Sequence, residues 1–215
     1  MHPCIEYILF DLDGTLYSNH WGLEQGVSSR VNDFLAAYMN MSREEVWARR
    51  KQGIKEGRYG TTLEWLRGET DFKDSEIDGY FAFIHPENEA DILPPDPELR
   101  VFLQSLTVPI GVLTNSPTEH AERILRKLGI EDLFHTVYDI RKNGFTGKPV
   151  EGMYRRILKE LGVEAPSCML VDDMSFYIEG YRAIGGTGVL FDEDNSHPDF
   201  PGPRIQKLAE VKSLL

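Results

Sequence analysis

The chain has 215 residues, which at roughly 150 per domain is one sizeable domain plus an insertion or small second lobe. Its 23 Lys and Arg against 35 Asp and Glu leave a formal net charge of −12. That lacks the cationic excess a DNA or RNA polymer requires, while one or two local cations suffice for a small anionic substrate.

Residues 5–10 form a short apolar run that ends at once in Asp11-Leu12-Asp13-Gly14-Thr15, and only a buried strand fits so few residues before a turn. Val27, Val31, Phe34, Leu35 and Tyr38 then recur at helical spacing and mark one helix face. Ser42 with Glu45 makes a capping box for a helix carrying Val46, Trp47 and Ile54. Thr61 with Glu64 starts a third helix and residues 75–83 make a fourth, with Phe72, Tyr80, Phe81 and Phe83 expected in the core of the whole helical stretch. No strand-period segment occurs between Leu16 and Ile92, so this stretch reads as an all-helical unit.

Asp96 reads as an N-cap with Pro97 at the first position of a helix carrying Leu99, Phe102, Leu103 and Leu106. A strand follows over 109–113. Ser116 is expected to cap the next helix, with Pro117 at its first position, Glu119 completing the box and Gly129 at its stop. Strands at 136–140, 168–171 and 188–191, the last of the chain, alternate with helices at 150–161 and 176–184, and 194–203 reads as loop. Alternation of this kind indicates a parallel sheet in an α/β fold. The expected division is an α/β core over 1–16 and 93–215 with a helical cap over 17–92. Because the insertion leaves directly after the first strand, it stands above the carboxyl ends of the strands as a lid.

Cys4 and Cys168 lie far apart outside any CxxC pattern, as expected of a reduced, cytoplasmic protein. The six histidines, His2, His20, His85, His120, His135 and His197, never form HxH or HExxH, which argues against zinc. No apolar run approaches the roughly 18 residues of a membrane span. Glu6 and Asp11 interrupt the apolar start of the chain, so a signal peptide is not expected.

Four polar clusters stand where apolar runs stop or loops meet helices: Asp11/Asp13/Thr15, Thr114/Asn115, Lys148 and Asp172/Asp173. Adjacent parallel strands would bring all four to one sheet edge. Carboxylate oxygens favour a hard divalent cation, Mg²⁺ above all. A metal beside a lysine and hydroxyl donors suits a phosphoryl group, and a carboxylate not needed for metal can be a nucleophile.

Asp11-Leu12-Asp13-Gly14-Thr15-Leu16 after an apolar strand resembles the first motif of the haloacid dehalogenase superfamily. Leu113-Thr114-Asn115 resembles its second motif, Lys148-Pro149 its third and Val171-Asp172-Asp173 its fourth, in the right order over nearly the whole chain. The resemblance implies a Rossmann-like parallel-sheet core with an inserted all-helical cap of the first type. Tyr59-Gly60-Thr61-Thr62-Leu63, Leu93-Pro94-Pro95-Asp96-Pro97-Glu98-Leu99-Arg100 and His120-Ala121-Glu122-Arg123-Ile124-Leu125 look like the pyrimidine 5′-nucleotidase branch, which hydrolyses nucleoside monophosphates such as UMP and CMP. One departure stands out. Most relatives carry serine after the double aspartate and an asparagine further on, where this chain has Met174 and Tyr177; the change bears on metal affinity and rate more than on reaction class.

What the resemblance implies is a phosphomonoesterase in which Asp11 attacks phosphorus and forms an aspartyl-phosphate. Asp13 would protonate the leaving alkoxide and then activate water. Mg²⁺ would sit on Asp11, the Asp13 carbonyl and Asp173, with Asp172 close by. Thr15, Thr114, Asn115 and Lys148 would hold the phosphate, Lys148 also stabilising charge. Tyr17 and His20 at the start of the insertion, with Arg58, Tyr59 and Trp65 further on, are candidates for contacting the leaving group, and aromatic rings at helical spacing serve equally as core. The substrate would be a small phosphorylated metabolite, a nucleoside monophosphate first. The alternatives are phosphoglycolate, a sugar phosphate or a phosphosugar mutase reaction, and a catalytically weak protein that binds a phosphometabolite.

Overall fold

The structure is a computed structural model that describes residues 4–56 and 58–215; His2 lies outside the described residues. Six strands run in the order β3-β2-β1-β4-β5-β6, all parallel. They are β1 (Tyr7–Phe10), β2 (Ile110–Leu113), β3 (Thr136–Tyr138), β4 (Cys168–Asp172), β5 (Thr187–Phe191) and β6 (Arg204–Ile205). The apolar run that predicts β1 is buried at every position because the strand is covered on both faces. Ile8 and Phe10 join one hydrophobic cluster, while Tyr7 and Leu9 join the other.

Helices α5 (Pro97–Gln104) and α6 (Thr118–Leu128) cover one face of the sheet, and α7 (Glu151–Leu161) and α8 (Ser175–Ala183) cover the other. Between β1 and β2 the chain first builds α1 (Leu23–Met39), α2 (Arg43–Lys55), α3 (Thr62–Glu69) and α4 (Ile77–Ile84), and no strand among the described residues. Both expected capping boxes form, Ser42 with Glu45 and Thr61 with Glu64. This helical insertion has its own cluster, including Val31, Leu35, Val46, Leu63, Trp65, Phe72 and Tyr80. From the sheet domain's loops Ile140 packs into it and Phe145 packs against it.

Several expectations need correction. The fourth helix begins as a 3-10 turn at Asp74–Glu76 and becomes α-helical only at Ile77. Phe83 is 49% exposed, because it falls on the outer side of α4. Strand β3 stops at Tyr138, since the Asp139 carboxylate accepts hydrogen bonds from the N–H groups of Arg141 and Lys142 and turns the chain. Pro117, in extended conformation, is the N-cap of α6 and makes no side-chain cap bond. Ser116 is drawn away because its hydroxyl donates to Asp13 at 2.7 Å. Strand β6 and the final 3-10 segment Leu208–Leu214 carry too little periodicity to be legible in the sequence. Cys4 is exposed and Cys168 buried, both as free thiols. No described helix is long and apolar enough to cross a membrane.

Candidate active site

The register places Phe10 beside both Val112 and Val171, so β1, β2 and β4 end side by side. Asp11 leaves β1 with its N–H donating to the Val171 carbonyl at 2.8 Å. The side chain of Lys148 reaches this edge from the loop before α7 and is only 1% exposed. Its Nζ lies 2.7 Å from Asp11 Oδ1 and 2.6 Å from Asp172 Oδ2. Asp172 uses its other oxygen to accept from the Met174 N–H at 2.8 Å, so it is spent on orientation.

Asn115 braces the same loop. Its Oδ1 accepts from the Lys148 N–H at 2.7 Å and its Nδ2 donates to the Lys148 carbonyl at 3.2 Å. Gly147 lets these groups approach, since a Cβ there would sit 2.6 Å from Asn115 Oδ1. Thr114 Oγ1 accepts from the Ser116 N–H at 3.0 Å, and Thr15 Oγ1 is buried without a partner among the described residues.

Ligand oxygens of Asp11, Asp172 and Asp173 all lie within 4.8 Å of one another. One ammonium cannot balance three carboxylates. Burial, with the neighbouring carboxylates, pushes Asp11 well above its ordinary value despite Lys148. Burial and the charge of Asp172 push Asp173 up to about 7. Lys148 itself is held above its ordinary value against its burial by Asp11 and Asp172. An all-oxygen donor set with surplus negative charge fits a small hard divalent cation.

Two further residues at this edge escaped the sequence reading. Asn19 donates from Nδ2 to Asp173 Oδ2 at 3.2 Å, while its Oδ1 is buried and unpartnered among the described residues. Asn19 thus supplies an amide to Asp173 where Tyr177 does not. Gly14, at φ 78°, leaves room for both, because a Cβ there would collide with the Asp173 carboxylate. Glu24, at the start of α1, is pushed up to about 7 by burial and by Asp13 and Asp173.

Asp13 is held by four donors. Its Oδ1 accepts from Tyr17 Oη and His120 Nε2, both at 2.6 Å, and its Oδ2 from Ser116 Oγ at 2.7 Å and Thr114 Oγ1 at 3.4 Å. Against the effect of burial, the charge and hydrogen bond of His120, with those of Tyr17 and Ser116, hold this carboxyl well below the usual carboxylate range. Burial alone would lower His120, but Asp13 and Glu89 bring it up to about 10. His120 opens a segment quoted for the nucleotidase resemblance, but no role was expected of it; a further signal is a histidine on the buried face of an otherwise apolar stripe on α6.

The histidines scattered along the sequence therefore do not all stay apart. The rings of His85 and His120 lie 4.3 Å apart and both bond Glu89 through Nδ1, at 2.9 and 2.8 Å. The geometry of these three residues would admit a metal ion. The Arg123 guanidinium already occupies Glu89 at 2.8 Å, which opposes a further cation there.

The remaining candidates are dispersed. Tyr17 is buried behind Asp13. His20 is exposed and faces Asp194 at 2.9 Å. Arg58 is exposed and pairs with Glu56 and Glu69, and Tyr59 bonds Glu69 at 3.1 Å. Trp65 is 1% exposed, so protein atoms rather than a ligand cover its ring. A cavity of about 250 Å³ instead opens between the helical insertion and the sheet domain, walled by Thr61, Leu63, Tyr80, Asn115, Ser116 and Tyr177 among others. Its described lining contains no lysine or arginine. The Tyr177 ring lies 5.0 Å from Lys148 Nζ, a cation–π contact.

Comparison with known proteins gives a consistent result. A phosphoglycolate phosphatase of Mannheimia succiniciproducens is 27% identical over 142 residues, spanning 62% of this chain and 62% of that protein. A glyceraldehyde 3-phosphate phosphatase of Methanocaldococcus jannaschii is 27% identical over 96% of both chains. Among solved structures, a HAD-hydrolase of Bacillus subtilis bound to magnesium superimposes with a TM-score of 0.66 at 18% identity, over 99% of each chain. The family model described as haloacid dehalogenase-like hydrolase matches residues 5–185. With most of its length so matched, the chain belongs to the haloacid dehalogenase-like hydrolases.

Proposed function

We propose that this chain is a magnesium-dependent phosphomonoesterase working through an aspartyl-phosphate on Asp11. The observation that carries the proposal is the Lys148 ammonium clamped between Asp11 and Asp172, beside a third carboxylate, at the ends of adjacent strands. Names of relatives that act on small phosphate esters support the reaction class.

Asp11 attacks phosphorus in line, and Lys148 neutralises charge on nucleophile and phosphoryl oxygens as the bond forms. Asp172 orients Lys148. Asp11, the Asp13 carbonyl and Asp173 would hold Mg²⁺, with Asp173 rather than Asp172 offering the less committed carboxylate. When bound, the ion screens the repulsion between phosphate and carboxylates. Thr15, Thr114 and Asn115 complete the phosphate surround. Asp13 is set to deliver a proton to the leaving alkoxide in the first step and, having lost it, to take one from the attacking water in the second.

Residues 17–92 act as the lid, and the leaving group occupies the cavity beneath it. That cavity is smaller than the roughly 300–1,000 Å³ of drug-sized ligand sites, and the absence of cations from its described lining suits a neutral leaving group better than the carboxylate of phosphoglycolate. A pyrimidine nucleoside 5′-monophosphate, handled in the cytoplasm, meets both conditions, as does a sugar phosphate. The names of the relatives are divided between phosphoglycolate and sugar phosphates.

The test is phosphate release with and without Mg²⁺ from UMP, CMP, AMP, GMP, phosphoglycolate and several sugar phosphates, with Asp11→Asn as control. Preference for UMP or CMP, lost in the variant, supports the nucleotidase. Preference for another ester keeps the chemistry and changes the substrate. Conversion of a sugar phosphate to its isomer without release identifies a mutase. No turnover, with tight binding of an ester, sinks the enzyme reading in favour of a metabolite-binding protein.

A further inference from the structure

The buried chain behind Asp13 has a geometry of its own. His120 is fully enclosed, and both ring nitrogens are engaged: Nε2 with Asp13 at 2.6 Å and Nδ1 with Glu89 at 2.8 Å. Glu89 is anchored in turn by His85 at 2.9 Å, by Arg123 at 2.8 Å and by Arg30 at 3.7 Å. An imidazole ring is rigid, so fixing Nδ1 on Glu89 aims Nε2 at one point. That point is the carboxylate of Asp13.

The anchor draws on both parts of the fold. His120 and Arg123 stand on α6 of the sheet domain, whereas Arg30 is on α1, His85 ends α4, and Glu89 opens the short 3-10 turn that leads back toward the sheet. Burying a carboxylate and two imidazoles where apolar side chains would pack, with partly exposed guanidinium groups against them, is weak as a device for stability. It is effective as a device for aiming a side chain such as that of Asp13, which stands in the turn after β1 beside Gly14.

We propose that His120 and Glu89 are positioning residues that hold the side chain of Asp13 so that its carboxyl group, protonated from solvent before the substrate binds, passes the proton to the leaving oxygen and is left as the carboxylate. The inference rests on the phosphatase reading above. His120 touches no reacting atom; it acts through Asp13, as the carboxylate behind a catalytic histidine acts in hydrolytic triads.

The experiment compares His120→Gln and Glu89→Gln with the wild-type chain in Mg²⁺ on two substrates. One is p-nitrophenyl phosphate, whose leaving group departs without a proton; the other is the alkyl phosphate that the ester panel ranks first. The readout is kcat/KM, which reports transfer to Asp11 and excludes the later hydrolysis. The expected result is a loss of about 10- to 100-fold on the alkyl ester, with p-nitrophenyl phosphate held within about threefold. Equal losses on both esters, no loss on either, or failure of both variants to fold would overturn the proposal, since each describes a structural role or none. A wild-type chain that hydrolyses neither ester overturns the phosphatase reading itself, a result distinct from any behaviour of the variants.

Discussion

The ammonium of Lys148 lies 2.7 Å from the carboxylate of Asp11 in a setting that water scarcely reaches. The pairing joins the loop before α7 to the end of β1, and Asp172 grips the same ammonium from β4. Removing one partner of such a group leaves uncompensated buried charge, whereas exposed ion pairs contribute little.

Lys148→Met therefore lowers the stability of the metal-free chain by about 3–5 kcal/mol, read as a shift in the urea midpoint at unchanged slope. Phosphate release falls with it even where the variant remains folded. A midpoint that does not move would mean that the two aspartates relax apart without cost.

Asn19 holds Asp173 through its amide and keeps a second polar atom buried beside it. Asn19→Ala is expected to weaken Mg²⁺ binding by about 10- to 100-fold, measured by calorimetric titration of the metal alone. An unchanged affinity would show that the amide does no more than fill space.

Trp65 and Arg58 separate packing from recognition within the helical insertion. Trp65→Ala opens a hole in its core and costs about 3–5 kcal/mol. Arg58→Ala, at an exposed ion-pair site, leaves stability close to that of the wild-type chain. Thermal unfolding of both variants decides, and a large change in substrate preference for Arg58→Ala alone would restore it as a specificity residue.

Asp192 governs how the tail responds to acid. It is 4% exposed, and against that burial Arg204 and the N–H groups of Ser196 and His197 hold its carboxyl well below the usual range. Its contribution is present above the unfolded value of roughly 3.9 and is lost as pH falls toward the folded one. Asp192→Asn should destabilise the chain by about 1–3 kcal/mol at pH 7. The gap should close progressively below about pH 4, in denaturation series of both proteins.

Strands β1 to β5 and most helices were legible because their determinants are local. The run before Asp11 needs only its brevity and its turn to be a strand, and both capping boxes lie within four residues of sequence. Ser116 misleads for the opposite reason. A hydroxyl that any isolated peptide would spend on its own helix is captured by Asp13, a partner 103 residues away. Trp65 is ambiguous in the sequence, since spacing alone does not say which side of a helix meets a core.

Residue types at strand ends were enough to expect Asp11, Asp172 and the Lys148 loop at one sheet edge, because parallel strands in register bring such ends together. Only the folded chain could recruit Asn19 to Asp173, or align Asp13, His120, Glu89 and His85 in one buried line. Periodicity and capping are written in neighbours a turn apart. The aim of a side chain depends on distances and directions between segments, and these exist only once the helices have packed on the sheet and excluded water.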